Sequence, residues 1–222
     1  MPCIHPTECS IDIYTVNVKR QNFYCRLVNV FKYQHMTQYN TSTQQVNIYD
    51  ETSLVNLVAP NCWTVDQCFS ADTLKWLQNI TVNEGNQFQV TRPHHRLWLA
   101  PGEDHNRLQQ IGLDIIPKLN EITGQDLNLM IVKFWLDLPN FGCQPHSDST
   151  DIVVTYQVYI DVHHSSEQPC HGVEFMHIDP GYEVELKPNH GYINLNVDSK
   201  LHQVTRGLGT RTSVVFQYNV CS

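Results

Sequence analysis

From Leu127 to the end of the chain the apolar residues recur with a period of two, and this constrains the fold more than any other feature. The β-rich stretches 129–136, 152–161, 172–178, 182–187, 191–197 and 211–219 are separated by clusters of Pro, Gly, Asn and Asp. Short alternating runs cut by turn residues read as strands of a sandwich or barrel. The segment before them reads differently. Over Asn106–Thr123 the residues Leu108, Ile111, Ile115, Leu119 and Ile122 recur at spacings of three and four, which predicts an amphipathic helix. Pro117 should kink or break it, and Gly124 is a natural stop. A second, shorter helix is expected over residues 70–79, with Ser70 as its N-cap and Leu74 and Leu77 on its buried face. Several strands after a helical preface fit a jelly roll with helices packed on one sheet.

Within the strand-rich half stand His146-Ser147-Asp148, then His202, then Arg211-Thr212-Ser213. Residues i and i+2 at a strand end project to one side, so His146 and Asp148 can grip one ion together. His202, between Leu201 and Val204, would supply a third ligand from a distant strand. Two imidazoles and one carboxylate form the facial ligand set of non-haem Fe(II) sites, which leaves positions open. An isolated H-x-D is common by chance, and the surrounding motifs carry the weight. For Arg211 the plain reading is a surface salt bridge. It follows Gly209, however, and precedes the apolar run Val214-Val215-Phe216, so it lies on a strand that looks buried and needs an anion there.

These motifs come in a fixed order: KFWLD at 133–137, PHSD at 145–148, VVTYQVYI at 153–160, GVEF at 172–175, PNHGY at 188–192, LHQV at 201–204 and GTRTS at 209–213. Over roughly residues 129–220 the chain resembles the Fe(II)/2-oxoglutarate-dependent dioxygenase superfamily, in its prolyl-hydroxylase-like branch. The resemblance implies a mainly β fold with flanking helices, a double-stranded β-helix (jelly roll, cupin-like). It implies that His146, Asp148 and His202 ligate iron, and that Arg211 and Ser213 hold the distal carboxylate of 2-oxoglutarate. Tyr159 would reach that carboxylate too, or be a core aromatic with its hydroxyl at the rim. Gln157 shares its face. The activity implied is an oxidoreductase, a hydroxylase that uses O₂ and converts 2-oxoglutarate to succinate and CO₂. Because Asp148 is a carboxylate and not Gly or Ala, the resemblance favours hydroxylation over halogenation.

The expected substrate is a small molecule or an amino-acid side chain. A prolyl-type protein hydroxylase acting on a peptide, and a non-catalytic metal-binding jelly-roll protein, are the alternatives. Substrate contacts are expected from Gln157, Trp135, Arg96 and Glu174. Alternation in GVEF points Glu174 into the barrel, where it would meet a cationic group such as an amine. Arg92, Arg96 and the neighbouring histidines either meet an anionic substrate or flank a strand through Leu97 and Leu99. Trp135 and Asn194 either line the pocket or pack. His163 and His164 are expected in a solvated loop, and the polar stretch Gln34–Gln45 is expected as either a mobile loop near the substrate entrance or an inert surface loop.

At 222 residues one domain is expected, with 1–126 as an N-terminal support region carrying helices and 127–222 as the core with the metal site. The net charge of −8 gives little reason to bind nucleic acid, whose backbone is engaged through Lys and Arg. No apolar run approaches the roughly 18–20 residues needed to cross a bilayer, and the first residues lack the pattern of a secretory signal. The expectation is a cytoplasmic protein that does not enter a membrane. Its eight dispersed cysteines would then be reduced thiols, with Cys143, close to the metal strand, sensitive to oxidation.

Overall fold

The computed structural model describes residues 42–91, 95–178, 181–196 and 201–220. It begins with strands β1 (Thr43–Asn47), β2 (Thr52–Ala59) and β3 (Cys62–Asp66), then helix α1 (Ala71–Asn79) and the hairpin β4 (Phe88–Thr91) and β5 (Arg96–Leu99). Helices α2 (Glu103–Asp114) and α3 (Ile116–Thr123) lead into β6 (Leu127–Asp137) and β7 (Cys143–His146). The remaining strands are β8 (Val154–His163), β9 (Glu174–Phe175), β10 (Tyr182–Glu183), β11 (His190–Leu195), β12 (His202–Val204) and β13 (Thr210–Val220). They form two antiparallel sheets. The larger runs β1-β2-β3-β11-β8-β13-β6-β5-β4, the smaller β10-β9-β12-β7. The fold is the expected jelly roll, mainly β with helices on one side.

Local chemistry accounts for most element ends. Ser70 caps α1, its hydroxyl accepting from the Thr73 amide at 3.3 Å. The predicted long helix is two helices, broken at Ile115 so that Pro117 falls in the first turn of α3, where its missing N–H costs nothing. Gly124 ends α3 with φ +68°, the left-handed conformation that glycine adopts without a Cβ clash. Strands β8 and β11 sit in the middle of the large sheet. β11 is buried throughout and β8 over its first seven residues, so the polar residues that alternate with the apolar ones, Thr155, Gln157, His190 and Asn194, are buried as well.

Two hydrophobic layers follow from the alternation of side chains. Leu108, Ile111 and Leu119 of the helices pack with Leu127, Phe134 and Phe216 on the outer face of the large sheet. The inner face meets the small sheet through Tyr159, Tyr192, Phe175 and Val204. The functional side chains lie on this inner face.

Several expectations need correction. Thr43–Gln45 is not loop but part of β1, paired with Asn56–Leu54. Only Val46 of that edge strand is buried, so polar residues are tolerated and no period shows. The strands expected over 172–178 and 182–187 shrink to two residues each, β9 and β10, at an edge of the small sheet. His163 ends β8 instead of lying in a loop. The expected elements at 16–18 and 23–31, the polar residues 34–41, and Arg92 lie outside the described residues.

Candidate active site

Pairing of β7 with β12 brings His146 opposite His202, with ring centroids 4.3 Å apart. Asp148 lies two residues past the end of β7, its Oδ1 3.9 Å from His202 Nε2. One ligand atom from each of the three lies within 4.8 Å of the others. They form a single cluster, and no fourth His, Cys, Asp or Glu joins it among the described residues.

Polar neighbours orient His146 and Asp148. Nδ1 of His146 is 2.9 Å from the Gln144 carbonyl. A carbonyl only accepts, so Nδ1 carries a proton in either charge state, and Nε2 is the nitrogen a metal can take once its own proton has left. Asp148 Oδ2 accepts from Thr155 Oγ1 at 2.9 Å and from Asn196 Nδ2 at 3.2 Å, which turns Oδ1 toward His202. Cys143 Sγ is 3.5 Å from His146 Nδ1. This contact pushes the imidazole up to about 9 and holds the thiol below its ordinary value. A metal must displace that imidazolium proton, so its binding weakens as pH falls.

At the other end of the cavity Arg211 is 3% exposed. Its Nε donates to Asp137 Oδ2 at 2.8 Å and its Nη1 to the His171 carbonyl. Nη2 is buried and has no hydrogen-bond partner. Asp137 also takes both forks of Arg96, one of them Nη2 to Oδ2 at 2.9 Å. Burial pushes the Asp137 carboxyl up, but the charges of Arg96 and Arg211 outweigh it and hold the group below the usual carboxylate range. Two guanidiniums share one carboxylate, which leaves a net charge of one plus and one unfilled donor. A buried donor left unpaired is costly, and an incoming carboxylate would satisfy both.

Between the two ends lies a cavity of about 130 Å³. Gln157 donates to Ser213 Oγ at 3.2 Å and accepts from the Tyr192 hydroxyl at 3.0 Å. Trp135 lines the wall beneath the Arg96 guanidinium, 4.5 Å from its ring centroid. Tyr159 lies beside Arg211, its ring centroid 5.7 Å from the guanidinium carbon, but its hydroxyl is not at a rim. It is fully buried and its hydroxyl accepts from the Val173 amide at 2.9 Å, while Tyr192 takes a place on the cavity wall. Asn194 is buried and bonds Asn196, in packing next to the ligand set.

Glu174 does not point into the barrel. Val173 and Phe175 take the inward positions, so alternation sends Glu174 to the outer face, where it accepts from Gln203 at 2.7 Å. A strand of two residues offers too little sequence to decide its inward face. The sequence reading also assigned no role to Asp137, Tyr192, Lys133, Thr155 or Asn196. An acid at an inward position of the apolar strand KFWLD was a usable signal for Asp137, since it demands a buried cation. Nothing in the sequence marks Thr155 or Asn196.

No family model matches the sequence, and no curated protein matches it. Solved structures do match. A Pseudomonas putida prolyl-4-hydroxylase superposes with a TM-score of 0.55 at 17% identity, covering 73% of this chain and 94% of that one. The viral collagen prolyl hydroxylase of Paramecium Bursaria Chlorella virus-1, in a truncated form, gives 0.56 at 15% identity, covering 73% and 90%. HygX from Streptomyces hygroscopicus, solved with nickel, 2-oxoglutarate and hygromycin B bound, gives 0.54 at 11%, covering 72% and 83%. The chain therefore shares the fold of the 2-oxoglutarate/Fe(II) oxygenases. No helix among the described residues is long and apolar enough to cross a membrane.

Proposed function

We propose that this protein is an Fe(II)- and 2-oxoglutarate-dependent dioxygenase that hydroxylates a C–H bond of a small molecule or an amino-acid side chain. The observation that carries the reading is the presence in one barrel of an open three-ligand set and a buried arginine short of one anion. A structural metal site is usually closed by a fourth protein ligand and needs no carboxylate anchor. That counts against a metal-holding binding module.

His146 through Nε2, Asp148 through Oδ1 and His202 would hold the iron. Iron, O₂ and 2-oxoglutarate together supply the oxidising chemistry, releasing succinate and CO₂ as a C–H bond is hydroxylated. The chain's residues do the rest. Arg211 Nη2 and the Ser213 hydroxyl, whose oxygen already accepts from Gln157 and whose proton is free to donate, bind the distal carboxylate. Thr155 and Asn196 keep Asp148 turned to the metal. Asp148 occupies a ligand position that a halide would need, which supports hydroxylation.

The test is anaerobic addition of Fe(II) and then 2-oxoglutarate, watched for the visible charge-transfer band of the chelated complex. The band is expected in the wild type and absent in His146→Ala. Well-folded wild-type protein that gives no band overturns the reading.

A further inference from the structure

Pairing registers set the inward residues of the large sheet in rows. Asp137 and Arg211 share one row, Trp135 and Ser213 the next, and Lys133 and Val215 the one after. Val215 in turn faces Gln157, and Gln157 faces Tyr192. Lys133, Val215, Gln157 and Tyr192 thus form one row, and all four line the cavity that holds the ligand set. Lys133 lies two rows nearer the metal end than Arg211. It stands to one side, on β6, off the line from the metal ligands to the carboxylate anchor.

The cavity's charges are accounted for except at this residue. Asp148 belongs to the ligand set. Arg96 and Arg211 share Asp137, and the remaining fork of Arg211 faces the co-substrate in the function proposed above. The Lys133 ammonium lies 4.0 Å from the centre of the Trp98 ring and pairs with no acid among the described residues. Its half-buried position lowers its pKa by desolvation, with no acid opposing the shift. A cation–π contact compensates only part of the cost of removing an ammonium from water. Trp135 and Val215, which line the cavity with it, present apolar surface for a carbon skeleton. Glu174, the acid expected to select a cationic substrate, lies on the outer face, so the sign of the substrate site is reversed.

We infer that Lys133 binds a carboxylate of the primary substrate, so that the hydroxylated molecule is a carboxylic acid or amino acid with an apolar or aromatic skeleton. The inference rests on the oxygenase reading for its chemistry but not for its binding test. In metal-free protein, intrinsic tryptophan fluorescence reports ligands beside Trp98 and Trp135. The probes are L-amino acids and aryl or alkyl monocarboxylates, each matched with its primary amide.

Acids are expected to bind and amides not. Lys133→Met should weaken acid binding roughly ten- to a hundredfold, as loss of a hydrogen bond to a charged group does, and Lys133→Arg should restore most of it. Equal binding of acids and amides, no binding of any acid, or unchanged acid affinity in Lys133→Met overturns the inference. In Fe(II)-loaded protein the same acids should stimulate 2-oxoglutarate consumption. If Lys133→Met instead raises the KM for 2-oxoglutarate, Lys133 is a co-substrate ligand and the inference falls. Failure of the charge-transfer band with intact acid binding would remove the oxygenase reading alone.

Discussion

Arg211 illustrates how a single residue is defined by what it lacks. Its Nε is held by Asp137 and its Nη1 by the His171 carbonyl, while Nη2 is left without a partner. Arg211→Met should raise the KM for 2-oxoglutarate roughly ten- to a hundredfold, while Asp137 keeps Arg96 as its partner; steady-state kinetics with varied 2-oxoglutarate checks this, and an unchanged KM would place the anchor elsewhere. Asn196→Ala, which frees Asp148 Oδ2 from one donor, should weaken iron binding about ten- to a hundredfold without altering the ligand set. A direct metal titration measures it. Asp137 carries a pH signature. Its folded pKa is depressed, so its contribution to stability is present above the unfolded value of about 3.9 and is lost as pH falls through the folded pKa. Melting curves from about pH 5 downward should show a steep acid limb in the wild type and a flatter one, from a lower start, in Asp137→Asn. At this scale the clustering of His146, Asp148 and His202 was legible in the sequence from their order and spacing. The partners of Asp148 and Arg211 were not, because each comes from a segment far along the chain.

Helices and strands differ in how plainly they announce themselves. The hydroxyl of Ser70 accepts the Thr73 amide and also donates to Asp50 at 2.6 Å, so it ties α1 to the loop after β1. Ser70→Ala should cost about 1 kcal/mol, the ordinary value of an N-cap, read from urea denaturation; a loss near zero would mean Asp50 takes over the cap. The helix break at Ile115 and the stop at Gly124 are local consequences of Pro117 and of glycine's tolerance for positive φ. Strands β6, β8 and β13 are long and their period shows in the residues themselves. By contrast β1 lies at a sheet edge with one buried residue, and β9 and β10 have two residues each. Such strands exist through their hydrogen-bonded neighbours, so composition carries little trace of them.

For the whole molecule, the candidate metal cluster joins the small sheet to itself and to the large one. His146 and His202 belong to paired strands of the small sheet, while Asp148 is held by Thr155 on β8 of the large sheet. A metal bound there binds the folded state alone and should stabilise it, by about 2.7 kcal/mol at a hundredfold excess over Kd. Fe(II), or a redox-inert divalent ion in its place, should therefore raise Tm, a chelator should reverse the rise, and His202→Ala should show none. A metal-induced rise preserved in His202→Ala would mean that the ion binds elsewhere.

By itself the sequence determined the extent of α1 and the helix stop at Gly124, the long central strands, the order of His146, Asp148 and His202, and the presence of an arginine on a buried strand. These depend on spacing, capping and residue chemistry, which act over a few neighbours. Tertiary structure alone decided that Asp137 sits between Arg96 and Arg211, that Thr155 and Asn196 orient Asp148, that Glu174 faces outward, and that Lys133 stands in the cavity. Each of these depends on strand register, which places residues dozens of positions apart side by side and sends alternate side chains to opposite faces.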